Sequence, residues 1–246
     1  IKVTPQDKHI SLLPNVDFSP VLDQYGQPVF YKKTTDSSFL FPMKKTGPNK
    51  TVLLIADPQV SNTQEIAYTE QSLKLILKKA PTPGLMIFLG DLVMDDVSLF
   101  KPLKESFAKL GVPWLTLYGN HDSKRATSIQ EKLVAYEQSF GPTDYAWEIA
   151  DTRILCINNV LWSENNNYTG GLRPDQKKLL SQLAAANPKP AGLLQLMHIP
   201  VQGDPKESED TRPRDRKFLL NLGTQYDYEA SVSGHSHIMY WSKIKP

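Results

Sequence analysis

The chain has one cysteine, Cys156, so no intrachain disulfide can close. Cys156 lies in the apolar run Arg153-Ile154-Leu155-Cys156-Ile157, where a thiol acts as a small buried hydrophobe. A chain of 246 residues does not need disulfides to hold a core, so their absence leaves the compartment open. No apolar run reaches the roughly 20 residues that span a bilayer. Charge of one sign is missing too. The 28 Lys and Arg against 26 Asp and Glu leave a net charge of +2, which gives no reason to expect nucleic acid or an anionic membrane as partner. The local exception is Arg212-Pro213-Arg214-Asp215-Arg216-Lys217. Internal repeats, low-complexity stretches and a phosphate-binding P-loop are all absent, which removes the usual signature of nucleotide-driven chemistry. The first residue is Ile1 and not Met, so a leader or an upstream domain is expected to have been removed.

What is present falls into two regions. Residues 1–50 carry Pro5, Pro14, Pro20, Pro28, Pro42 and Pro48, which exclude helix and predict an extended arm or the tail of an upstream β-rich domain. From residue 51 to 246, strand-length apolar runs alternate with amphipathic segments. The runs cover 51–56, 85–89, 114–118, 146–149, 153–157, 193–197 and 230–233. Helices are predicted over 66–79, 99–110, 128–140 and 174–186. The third opens on the capping box Ser128-Ile129-Gln130-Glu131 and ends before Gly141. The alternation predicts an α/β domain with a largely parallel core sheet, whose ligands gather beyond the carboxyl ends of its strands.

Polar residues of one kind stand at those ends. Asp57 closes Leu53-Leu54-Ile55-Ala56-Asp57, and Asp91 closes Ile87-Phe88-Leu89-Gly90-Asp91. Gly119-Asn120-His121-Asp122, Met197-His198-Ile199-Pro200 and Gly234-His235-Ser236-His237 follow later strands. Taken singly, the aspartates read as caps or turn formers and His198 as structural. Together, five strand ends deliver the carboxylate, amide and imidazole donors that Mn, Fe and Zn accept. Gly234-His235-Ser236 would need glycine at 238 for a nucleophile elbow, and Ile238 is there, so a serine hydrolase finds little support.

This ordered set resembles the calcineurin-like metallophosphoesterase superfamily over residues 51–237, nearly all the chain beyond the arm. The resemblance implies a four-layer α/β/β/α sandwich of two packed mixed sheets flanked by helices, with a dinuclear metal centre. Carried over by motif, Asp57, Gln59, Asp91 and His237 hold the first metal. Asp91 as a bridge, Asn120, His198 and His235 hold the second. One departure is plain. The family's first motif is usually Asp-x-His, and Asp57-Pro58-Gln59 offers a neutral amide oxygen in its place. The Asp-Pro-Gln form, with Tyr168-Thr169-Gly170-Gly171-Leu172, resembles a bacterial branch flanked by N- and C-terminal domains, for which a periplasmic or secreted location and a further C-terminal domain are expected.

The implied activity is metal-dependent hydrolysis of phosphomonoesters or phosphodiesters, with a small-molecule, lipid or sugar phosphate ester as substrate. The contrasting reading, motivated by Gln59, is a binding or scaffold module. His121, beside Asn120 and outside the ligand set, is the expected group for protonating the leaving oxygen or stabilising its charge, with Asp95, Asp96 or Asp122 to orient it. Lys124, Arg125, Arg212, Arg214 and Arg216 read first as solvated surface charges and second as phosphate partners. Trp162 and Tyr168 read likewise as surface aromatics before contacts for an organic leaving group.

Overall fold

A computed structural model describes residues 18–20, 24–25, 43–45, 51–79, 83–124, 128–149, 151–163, 166–185, 189–202, 214–239 and 241. Of the expected arm, only β1 (Phe18–Pro20), its antiparallel partner β2 (Met43–Lys45) and two turn residues fall among these. Trp114 reaches this region, donating its indole N–H to the Tyr25 carbonyl at 2.6 Å.

Two larger sheets replace the one sheet that the residue pattern alone predicts. The first is wholly parallel: β3 (Val52–Ile55), β4 (Leu85–Phe88) and β5 (Trp114–Thr116). The second has the order β11-β10-β7-β6, from β6 (Tyr145–Ile149), β7 (Thr152–Ile157), β10 (Gly192–Met197) and β11 (Tyr228–Ser233). Only β6 runs antiparallel in it. Between β7 and β10 lies a short antiparallel pair, β8 (Val160–Trp162) and β9 (Tyr168–Gly170).

The helices are α1 (Thr63–Lys79), α2 (Phe100–Ala108), α3 (Ile129–Phe140), α4 (Pro174–Ala185) and α5 (Arg216–Gly223). A 3₁₀ turn, Val97–Leu99, leads into α2, and Pro102 sits in that helix's first turn, where its missing N–H breaks no bond. The expected capping box of α3 forms, with Glu131 N donating to Ser128 Oγ at 3.2 Å and Ser128 N to Glu131 Oε2 at 3.4 Å.

Strand periodicity sorts the core into three apolar clusters. On β4, Met86 and Phe88 join Trp114 with Leu73 of α1, Leu103 and Phe107 of α2 and Tyr136 of α3. Phe88 and Phe107 stack there with centroids 4.0 Å apart. The alternate residues Leu85 and Ile87 join Leu115 with Ile154, Cys156 and Leu196 from the second sheet. On that sheet's other face Leu155, Ile157, Leu193 and Met197 meet Leu180 and Leu183 of α4 and Leu219 and Leu222 of α5. Each sheet therefore packs helices on one face and the other sheet on the opposite face. The expected mixed α/β class is what forms. The β8–β9 pair and α5 go beyond the predicted elements. Among the described residues, no helix is long and apolar enough to cross a membrane.

Candidate metal centre

The loops after β3 and β4 continue side by side. Gln59 N donates to Asp91 O at 2.8 Å, Val60 N to Leu92 O at 3.2 Å and Met94 N to Val60 O at 3.0 Å. This pairing brings Asp57, Gln59 and Asp91 to one rim. Loops after β5, β10 and β11 bring Asn120, His198, His235 and His237 to the same rim, as the strand-end rule predicts.

The backbone there is unusual. Seven described non-glycine residues have positive φ, and six of them are Asp57, Gln59, Asp91, Asp95, His235 and His237. Each such residue costs on the order of 1–3 kcal/mol and persists only where its surroundings hold it. The motif glycines explain how the loops close. A Cβ on Gly119 would stand 2.1 Å from Asp91 N and 2.2 Å from Asp91 Oδ1. One on Gly234 would stand 2.4 Å from Asp57 Oδ2, and one on Gly90, at φ +90°, 2.6 Å from His198 Nδ1.

At the centre of the rim, ligand atoms of Asp91, His198 and His235 all lie within 4.8 Å of one another. His198 is fully buried, with Nδ1 2.8 Å from the Leu89 carbonyl. A carbonyl only accepts, so Nδ1 carries the proton and Nε2 is left to face Asn120 Oδ1 at 3.0 Å and Asp91 Oδ2 at 3.2 Å. A neutral imidazole lone pair, an amide oxygen and a carboxylate oxygen are three acceptors in one buried space. Such a set calls for a cation among them, and nitrogen with oxygen donors suits a transition metal.

The titration tendencies express the same demand for positive charge, which a proton on His198 Nε2 can meet in place of a cation. Burial opposes charge on His198, but the hydrogen bond and charge of Asp91 outweigh it and hold the imidazole above its usual value. Burial and the neighbouring His198 push His235 down to about 4, which leaves it a neutral donor. Burial raises the Asp57 carboxyl.

Asp57 Oδ1 accepts from His235 N at 2.8 Å and lies 3.8 Å from His237 Nε2. Gln59 Nε2 lies 2.9 Å from Asp91 Oδ2, as a donor to the carboxylate. His237 is exposed, unlike the other histidines of the rim. Of three carboxylates proposed to orient His121, one does so: Asp95 Oδ1 stands 3.0 Å from His121 Nδ1. Asp96 instead caps the 3₁₀ turn, accepting from Ser98 N. Asp122 is fully buried and accepts from Leu92 N at 2.7 Å, Val93 N at 3.2 Å and Gly119 N at 3.0 Å, clamping the loops that carry Asp91 and Asn120.

Among the substrate-side candidates, Lys124 and Arg214 are exposed, and Arg216 donates to Gln202 Oε1 at 2.6 Å. Arg125 and Arg212 lie outside the described residues. Tyr168 comes beside the centre, with its ring 5.9 Å from that of His235. One contributor goes beyond the predicted set. Buried Asn159 donates Nδ2–H to Ile199 O at 2.6 Å and accepts from Ile199 N at 3.0 Å, fixing the loop immediately after His198. Its signal was legible: Asn158-Asn159 is polar, apolar-flanked and directly after a strand, like the ligand motifs.

A mixed α/β scaffold with a buried nitrogen and oxygen centre at its strand ends is the chemistry of a metallohydrolase. A family model for calcineurin-like phosphoesterase matches residues 50–239, and the chain belongs to that family, whose members are phosphoric ester hydrolases dependent on divalent metal ions. It is 24% identical over 207 residues to the probable glycerophosphodiester phosphodiesterase GpdQ of Arcobacter nitrofigilis, covering 78% of this chain and 75% of that protein. Its fold is similar to that of a dimetal phosphatase from Danio rerio, with TM-score 0.51 and 14% identity over 78% of this chain and 82% of the other.

Proposed function

We propose that the protein hydrolyses phosphomonoesters or phosphodiesters at a centre of two metal ions drawn from Mn, Fe and Zn. Asp57, Gln59, Asp91 and His237 would hold one ion, and Asp91, Asn120, His198 and His235 the other. Bound ions of this kind supply charge to grip the phosphate and acidify a water so that it attacks near neutral pH. The chain's own residues do the rest. Leu89 O and the Asn159 amide fix the tautomer and position of His198, and Asp122 fixes the Asn120 loop. Asp95 engages His121 Nδ1, which leaves Nε2 as the atom to give a proton to the departing oxygen.

The observation that carries this reading is the convergence of His198 Nε2, Asn120 Oδ1 and Asp91 Oδ2 from three buried residues. The Arcobacter relative's name makes a diester the first substrate class to try. The test is hydrolysis of bis-p-nitrophenyl phosphate by metal-stripped protein resupplied with Mn²⁺, beside His235→Ala. A rate that returns with metal and disappears in the variant supports the reading. Folded protein that turns over neither this diester nor p-nitrophenyl phosphate with any of the three metals favours the binding-module reading.

A further inference from the structure

The β8–β9 pair sets two aromatic side chains in a row beside the proposed metal centre, and the ligand set includes neither. Tyr168 is 39% exposed although its ring is held in defined contacts. Its centroid is 5.9 Å from the His235 ring at an interplanar angle of 81°, and 5.4 Å from Trp162 at 68°. Both are edge-to-face contacts of the kind aromatic rings prefer.

Trp162 is anchored from behind. Its indole N–H donates to Tyr118 OH at 2.9 Å, and Tyr118 is fully buried. Lys132 of α3, only 3% exposed, places Nζ 4.1 Å from the Trp162 ring centroid. The turn between the strands is tied as well, with Ser163 N donating to Asn167 O at 2.7 Å and Asn166 in left-handed backbone at φ 59°. Past β9, Gly171 N donates to Asn159 O at 3.0 Å, which joins the pair to the residue that fixes the His198 loop.

An exposed aromatic ring on a mobile surface loop has no defined partner. Here the rings are preorganised and the open one borders a reactive centre, which is how a binding site limits the entropy cost of holding a ligand. From the row His235, Tyr168, Trp162 we infer that the β8–β9 pair is a subsite for a planar aromatic group on the leaving-group side of the phosphoester. The inference rests on the proposed hydrolase reading and adds the substrate class. A planar ring continues the edge-to-face series, whereas an alkyl or saturated ring of the same size gains contact area alone.

The test uses benzyl esters against cyclohexylmethyl esters of phosphate, as monoesters and as methyl diesters. Both leaving groups are primary alcohols of similar basicity and size, so the pair isolates planarity. In metal-loaded wild-type protein, kcat/KM is expected to favour benzyl. Tyr168→Ala is expected to lose about tenfold on the benzyl ester, the scale on which a stacking ring contributes, and less than twofold on the cyclohexylmethyl ester. Tyr168→Phe keeps the preference because the ring remains. No benzyl preference in wild type, or equal loss on both esters in Tyr168→Ala, overturns the inference. Binding of benzylphosphonate against cyclohexylmethylphosphonate, by calorimetry on the metal-loaded protein, decides the subsite without turnover. If neither ester is cleaved, the hydrolase reading fails by itself. The phosphonate pair then upholds the subsite if benzyl binds about tenfold tighter and only in ring-bearing variants, and overturns it otherwise.

Discussion

Asp95 engages His121 at two points: its Oδ1 lies 3.0 Å from His121 Nδ1, and its backbone N–H donates to the His121 carbonyl at 3.2 Å. The carboxylate fixes how the ring is turned and the backbone bond fixes where it sits. Asp95→Asn preserves an acceptor but removes the charge, so kcat is expected to fall roughly tenfold or more with little change in KM. His121→Ala removes the proposed proton donor, and the expected loss is on the order of 10²–10⁴ for alkyl esters. A p-nitrophenolate departs without a proton, so the loss should be much smaller there. Equal losses on both leaving groups would show that His121 does other work.

Gln59 sits where the family's usual motif has histidine. Gln59→His exchanges an amide oxygen for an imidazole nitrogen, which binds borderline transition metals better. Tighter Zn²⁺ binding at one of the two positions is expected, read as an upward shift in metal stoichiometry after dialysis against a weak chelator. Stoichiometry unchanged from wild type would remove position 59 from the ligand set.

Much of this centre was legible because it obeys simple rules. Seven strands fall where the apolar runs predict, and the ligand motifs stand at the ends of five of them. What escaped has physical reasons. The β8–β9 pair spans Asn-rich sequence with few apolar alternations, and its pairing stems from anchors far along the chain such as Tyr118. Helix α5 is short and opens on Arg216-Lys217, so its apolar face of Leu219 and Leu222 shows only against β10. Choosing Asp95 over Asp96 and Asp122 needed three dimensions, since all three lie near His121 in sequence or motif. The left-handed φ at six non-glycine positions falls on Asp and His in five cases, types that enter that region more readily than most, but residue type does not say which of the chain's Asp and His do so.

Gly119→Ala is expected to be severe. Its Cβ would meet backbone and carboxylate atoms of Asp91 that are already held by His121 N and His198. Neither partner is a flexible side-chain end, so the loops must separate. A loss of about 2 kcal/mol or more in unfolding free energy is expected, together with loss of metal binding. Denaturant titration and metal analysis of one preparation read both. A stable variant with normal metal content would contradict the close approach.

Away from the centre, Glu70 of α1 accepts from Lys74 Nζ at 2.5 Å, Ser106 Oγ at 3.0 Å and Lys109 Nζ at 3.3 Å, tying α1 to α2. The bond from Lys74 is the main reason its carboxyl titrates below the ordinary value of 4.5. A carboxyl lowered by folding stabilises the native state above its unfolded pKa, and that stability is lost as pH falls through the lowered folded value. Glu70→Gln should therefore cost about 0.5–1 kcal/mol at pH 7 and less at pH 3. Urea titrations at the two pH values test this, and a cost that grows on acidification would refute it.

The His198 to Leu89 bond joins a residue after β10 to one after β4, across the seam between the two sheets. Asp57, Asp91 and Asn120 come from one side of that seam, and His198, His235 and His237 from the other. Neither half of the sequence owns a complete centre. On the proposed ligand set, metal affinity measures docking between the amino-terminal and carboxyl-terminal halves, and a chain severed between α3 and β6 would make an ion-gated reporter of its own reassembly.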